Sequence, residues 1–232
     1  MAPIAIHRVT QLDLNVRPQR WTFADQRRVD IDAHFAIKQR EKPIWNGRVL
    51  LGRRPVFTGD RFSADYFETD FASFLAWRDW GFPDQDVFNG FGMGALRCAD
   101  GAFILGEMGQ HTSNAGRIYF PSGTPDLDDI ADGSIDIAGS VSREVEEETG
   151  LTPSDYRAGP HWDCVVSGPA IAMIRILDVD VSGEELRARI EANLATQHQP
   201  ELAAIHLVRH VRDLTAAMPR FVTAFIEAQM ST

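Results

Sequence analysis

The sequence predicts an α/β fold over its C-terminal two thirds, preceded by an α+β extension, on three observations. From Asn89 onward, short apolar strands are broken by glycine. Gly92-Met93-Gly94-Ala95-Leu96-Arg97-Cys98 and Ala102-Phe103-Ile104-Leu105-Gly106 read as a hairpin joined at Ala99-Asp100-Gly101. Ile137, Val141 and Val145 then recur every four residues, between a capping Asp136 and a terminating Gly150, which marks an amphipathic helix. The N-terminal third has another texture, strands and a charged helix, with no low-complexity linker behind it. A soft boundary near Pro83 to Asn89 therefore divides an extension, 1–88, from a main domain, 89–232.

Within the extension, Ile4 to Val16 reads as one or two strands, with alternation in Leu12-Asp13-Leu14-Asn15-Val16. Trp21 to Glu41 is helix-like, with Ile31 and Phe35 as its buried edge, and Lys42-Pro43 ends it. Trp45-Asn46-Gly47 is a tight turn entering the strand Arg48-Val49-Leu50-Leu51, and Val56 to Phe67 is a hairpin around Thr58-Gly59-Asp60. Thr69 or Asp70 caps a helix over Phe71 to Trp80. Phe71, Phe74 and Leu75 form its apolar stripe, while Trp77 and Trp80 are read as packing residues ahead of base-stacking ones.

In the main domain, Gln110 to Gly116 is a polar loop and Arg117 to Phe120 a strand running into Pro121-Ser122-Gly123. Beyond the helix ending at Thr149, Trp162 to Val181 holds apolar strands interrupted at Ser167-Gly168-Pro169. Gly183 to Thr196 is an amphipathic helix, Ala204 to Val208 a short buried strand, and a last helix starts near Met218, since Pro219 is tolerated only in a first turn.

The totals narrow the function classes. A formal charge of −10 argues against a nucleic-acid backbone as partner, and an anionic substrate would need local cations. Two cysteines, Cys98 and Cys164, make no disulfide framework. The apolar run of MAPIAIHRV is too short for a secretory signal, and no stretch reaches membrane-span length, so a cytoplasmic protein without a membrane partner is expected. A homodimer and a monomer both remain open.

The chemistry concentrates at Arg143-Glu144-Val145-Glu146-Glu147-Glu148-Thr149-Gly150-Leu151. On a helix, Glu144, Glu147 and Glu148 fall within an arc of about 100°, where like charges repel. A divalent cation would turn that cost into a ligand set of hard oxygens, suited to Mg2+ or Mn2+. A solvated acidic face is the bland alternative.

This run resembles the Nudix box, which in that family reads G-x5-E-x7-R-E-U-x-E-E-x-G-U, with U apolar; every specified position of its second half matches. The resemblance implies an α/β/α sandwich around a mixed sheet over roughly Asn89 to Val211. It also implies metal-dependent hydrolysis of the diphosphate linkage in a nucleoside diphosphate-X substrate. Glu144 and Glu148 become metal ligands, Glu147 a third ligand or support, Arg143 a clamp on a glutamate, and the Gly123 carbonyl a further ligand. Glu201 resembles a position that supplies another carboxylate, against a reading as an exposed loop acid; it or Glu144 would take the proton of the attacking water.

The first half departs from the pattern. Counting from Gly123 puts Asp129 where the glutamate belongs, with thirteen residues between it and Arg143 instead of seven. Counting back from Arg143 reaches Ile135, beside Asp136. The loop thus carries an insertion, and Asp129 and Asp136 are both candidates for the displaced acid. Asp126, Asp128, Asp129 and Asp132 are read as solvated loop residues ahead of metal ligands. The extension, with its Trp45-Asn46-Gly47 turn, is similar to those of the Nudix branch that cleaves UDP-sugars. Arg97, Arg117 and His111 are candidate substrate contacts. A Nudix-fold binding module without turnover is the alternative.

Overall fold

The structure, a computed structural model, describes residues 4–231. The extension supplies β1 (Ile4–Val9), β2 (Gln11–Val16), α1 (Thr22–Gln26), α2 (Arg28–Glu41), β3 (Arg48–Thr58), β4 (Arg61–Asp70) and α3 (Phe71–Asp79). The main domain follows with β5 (Val87–Cys98), β6 (Phe103–Met108), β7 (Ile118–Tyr119), β8 (Ser122–Gly123), β9 (Ile130–Ala131), β10 (Ser134–Ile135) and α4 (Ile137–Thr149). It ends with β11 (Arg157–Ser167), β12 (Ala170–Val179), α5 (Gly183–Leu194), β13 (Leu202–Val208) and α6 (Arg220–Met230).

One mixed sheet runs through the molecule in the order β1-β11-β12-β5-β3-β4-β2-β10-β9. The long strand β5 is its hinge. Residues 89–98 lie parallel to β12, whereas Val87 and Phe88 pair antiparallel with Arg53 and Gly52 of β3. A branch from β5 carries β6, with β13 and β7 beside it, and β8. The first two strands part company: β1 joins β11 of the main domain, while β2 runs parallel to β4.

Strand alternation sorts the apolar side chains between two cores. In β3, Leu50 faces the large core, while Val49 and Leu51 enter a smaller one beneath α1, α2 and α3. Phe62, Ala64 and Tyr66 of β4 likewise join the large core, and Phe67 the small one. Trp77 is wholly buried there and donates its indole N–H to the Asp84 carbonyl; Trp80 packs edge-on against Phe23 and His34. Neither faces the cleft described below. Asp70 caps α3 by accepting from the Ser73 amide at 2.9 Å and holds Arg28 of α2 in an ion pair.

Helices cover both faces of the main sheet. Phe91 of β5 meets Phe221 of α6 edge-to-face at 5.4 Å, while the intervening Gly92 and Gly94 turn toward α4. A Cβ on Gly92 would stand 2.6 Å from Val141 Cγ2, and one on Gly94 2.7 Å from Val145 Cγ2. The two glycines thus let α4 rest directly on the strand. Gly92→Ala is expected to cost about 1–3 kcal/mol of stability in a denaturant titration; an unchanged midpoint would contradict this packing. The far end of α4 stops at Gly150, whose φ of 75° is left-handed and whose amide donates to the Glu146 carbonyl.

Candidate active site

A cleft of about 880 Å³ opens between the helical side of the extension and the main domain. Ile44, Trp45, Val49, Phe71, Phe74 and Phe82 line it from the extension. The main domain contributes Ser122, Gly123, Glu144, Tyr119, Glu201 and the polar loop through Asn114.

The acidic end is assembled by α4 and β8. Asp136 accepts from the Gly139 amide and fixes the start of the helix, and burial of Ile137, Val141 and Val145 fixes its rotation. The strip 144/147/148 is then left toward β8. A Cβ on Gly123 would lie 2.0 Å from Glu144 Oε1, so the carboxylate occupies the space a side chain would fill. Glu148 lies beneath the cleft floor and accepts from the Ser122 amide at 3.3 Å. Glu147 is exposed beside them.

Electrostatics set these acids apart. Burial first, and the Glu147 carboxylate next, push Glu144 up to about 7. Burial and the neighbouring Glu144 raise Glu148 well above the ordinary glutamate range. Glu201 raises both, and the Tyr119 hydroxyl, held up mainly by burial, also feels Glu148, Glu201 and Glu144. Neither Glu144 nor Glu148 has an ion-pair partner among the described residues. The half-buried Glu144 on the cleft wall, the buried Glu148 beneath it and the exposed Glu147 beside them form a donor set that fits a hard divalent cation. Among the described residues, no three such side chains are gathered as a metal-holding group.

The loop before α4 explains the irregular spacing. Asp129 is buried and binds Arg143 Nη2 through Oδ1 at 2.9 Å, while its Oδ2 accepts from the Asp126 amide. Residues 130–135 fold out as the hairpin β9–β10, turned at Asp132 and Gly133 with φ of 51° and 79°. The Asp136 amide then donates to the Asp129 carbonyl at 2.8 Å, closing the excursion on itself. Removing the six hairpin residues leaves seven between Asp129 and Arg143, the interval of the motif that the sequence resembles. Asp129, not Asp136, is the acid that binds Arg143, and it is buried and not a solvated loop residue. The hairpin in turn pairs with β2, where Ser134 faces Asn15 and the Val16 amide donates to the Gly133 carbonyl.

Asp129→Asn is expected to weaken the hold on Arg143, costing about 1–3 kcal/mol in a denaturant melt. Arg143 keeps its charge firmly because the Asp129 contact outweighs its partial burial. Stability equal to wild type would show the contact to be incidental.

The other candidates separate. Arg117, His111 and Glu201 line the cleft, and Glu201 is anchored through its carbonyl, which accepts from the Gly109 amide at 2.7 Å. Arg97 does not line it; its Nε donates to Asp178 Oδ1 at 2.7 Å across the parallel β5–β12 pair. Arg78, Tyr119 and Asn114 line the cleft without having been singled out in the sequence, and Asn114 donates to the Tyr119 hydroxyl at 3.1 Å. The position of Tyr119 in Ile118-Tyr119-Phe120-Pro121-Ser122-Gly123, just before the acidic floor, is the signal that could have marked it.

No protein-family model matches this sequence, and no curated protein matches it. The solved structures similar to the chain include Nudix hydrolases. RenU, a Nudix hydrolase from M. smegmatis, is 14% identical with a TM-score of 0.41, over 62% of this chain and 87% of that one. A Nudix hydrolase from Nitrosomonas europaea is 15% identical with a TM-score of 0.41, over 62% and 89%. The bifunctional NMN adenylyltransferase/ADP ribose pyrophosphatase from Francisella tularensis, complexed with AMP and a Mn ion, is 12% identical with a TM-score of 0.43, over 68% and 45%. These scores are low, and the functional reading rests on the site's own residues. Among the described residues, no helix is long and apolar enough to cross a membrane.

Proposed function

We propose that this chain is a Nudix-type hydrolase that cleaves the diphosphate linkage of a nucleoside diphosphate-X substrate with Mg2+ or Mn2+. The observation that carries the reading is the pairing of a complete Arg143–Leu151 motif with the half-buried Glu144 and the buried Glu148, neither of them in an ion pair among the described residues, at the acidic end of the cleft. Glu144, Glu147 and Glu148, with the Gly123 carbonyl, are the residues that would hold the cation. When bound, it offsets the charge growing on phosphate oxygens and lowers the pKa of water.

The chain's own groups do the rest. Glu201 or Glu144 takes the proton of the attacking water, the exposed Arg117 and His111 meet phosphate oxygens, and Arg143, tied to Asp129, keeps the helix face in place. A UDP-sugar is the leading substrate within the class, in keeping with the similarity of the extension. Both cysteines are buried and unpaired, which supports residence in a reducing cytoplasm.

The test is a panel of UDP-glucose, ADP-ribose, NADH and coenzyme A with Mg2+, following phosphate released after phosphatase coupling. Metal-dependent turnover of at least one is expected. The second reading, a nucleotide-binding or regulatory module without turnover, draws on the displaced first glutamate of the motif, where Asp129 is engaged with Arg143. Binding of metal and nucleotide with no turnover across the panel would favour it.

A further inference from the structure

We propose that Trp45 is the base-stacking residue of the cleft, so that the nucleobase of the substrate lies at the extension end and the diphosphate at the Glu144 end. The inference rests on the nucleotide reading above and adds which part of the substrate the extension recognises.

Trp45 is 85% exposed although it lines the cleft. The chain on either side of it is nonetheless tied down. Lys42 Nζ reaches over to the Thr112 carbonyl at 2.5 Å, Asn46 Oδ1 accepts from the Ala72 amide at 2.8 Å, and the Gly47 carbonyl accepts from the Phe71 amide at 2.9 Å. Residues 42–47 thus form a strap that presents an indole on a fixed mount. The other tryptophans are occupied: Trp21, Trp77 and Trp80 pack against rings, and Trp162 carries the Arg175 guanidinium. Trp45 has no ring or guanidinium contact among the described residues.

The neighbours indicate what the free face takes. Ile44, Val49, Phe71, Phe74 and Phe82 give the extension side of the cleft an apolar lining, whereas Thr112, Asn114 and Arg117 lie on the main-domain side. Beyond Arg78 and the Trp45 indole N–H, the extension side offers a sugar ring few partners for its hydroxyls. A heteroaromatic base offers a flat face to the indole and needs few edge contacts. Asn89, whose Oδ1 accepts from Thr124 Oγ1 at 3.5 Å, lines the same cleft and has its amide N–H group to offer a base edge. The cleft is also of the size that encloses a nucleotide-scale ligand.

The experiment is calorimetric binding of uridine and adenosine monophosphates, glucose 1-phosphate and ribose 5-phosphate, with Mg2+, to the wild type, Trp45→Ala, Trp45→Phe and Glu148→Gln. Wild type is expected to bind at least one nucleotide more tightly than either sugar phosphate. Trp45→Ala should weaken that nucleotide by roughly 5–150-fold, the span of base–aromatic stacking, while Trp45→Phe keeps most of it and Glu148→Gln retains the Trp45-dependent preference. Circular dichroism of Trp45→Ala should match wild type, since the side chain is exposed. Nucleotide binding unchanged in Trp45→Ala, loss confined to glucose 1-phosphate, or no nucleotide preference in the wild type each overturns the inference. Trp45-dependent nucleotide binding without turnover on any diphosphate would instead count against the hydrolase and leave the stacking role standing.

Discussion

Glu148→Gln is expected to remove turnover while raising the stability of the metal-free protein. Glu148 is buried beneath the cleft floor with a single amide donor, Ser122 N, and with Glu144 and Glu201 close enough to oppose its ionisation. Its folded-state pKa lies well above the ordinary 4.5, so the folded protein binds this proton more tightly than the unfolded chain does. The sign follows from linkage: stability from this group is gained as pH falls from its folded value toward 4.5 and is lost as pH rises. A glutamine keeps an oxygen for the Ser122 amide and cannot ionise. Melts in EDTA from about pH 5 to about pH 8 should show Glu148→Gln gaining about 1–3 kcal/mol over wild type, with the gap widest at the alkaline end. Loss of a cation ligand removes several kcal/mol of transition-state stabilisation, on the order of 10³-fold in kcat. An undiminished rate, or a variant less stable than wild type at high pH, would falsify the assignment.

Gly123→Ala should cut activity with little effect on stability. The added Cβ would stand 2.0 Å from Glu144 Oε1 and 2.6 Å from its Cδ, while the cleft beside it gives the carboxylate room to swing away. Displacing a reacting group by about 1 Å costs on the order of 10²-fold, and relocating one flexible side chain should change stability by no more than about 0.5 kcal/mol. Steady-state kinetics beside a denaturant titration checks both. Normal turnover would mean that Glu144 does not act from the position it holds here.

What could be read in the sequence was local, and what escaped it was long-range. The helix Ile137–Thr149 announced itself because its cap, apolar interval and glycine stop lie within fifteen residues. The fate of Asp129 did not, because counting along the chain cannot tell that residues 130–135 fold out and return to the same point. Arg97 looked available as a strand arginine, but its partner Asp178 is 81 residues away. Trp77 and Trp80 followed the packing expectation, while Trp45, read as part of a turn, is an exposed aromatic residue that lines the cleft. The strands at residues 4–16 were legible as strands, yet nothing in their alternation says that one joins β11 and the other β4.

That parting of β1 from β2 bears on how the chain acquires its shape. Arg8 and its partner Asp163 are 155 residues apart, and the whole register of β1 lies against β11. During synthesis the first strand leaves the ribosome well before the segment it must pair with, whereas the β3–β4 hairpin finds its partner across a short turn. Closing so long a loop is entropically slow. The hairpin and the small core beneath α1–α3 should therefore form early, with β1 docking late. In pulse-labelling hydrogen exchange during refolding, amides of residues 48–70 should be protected ahead of those of residues 4–9, even though the latter come first in the chain.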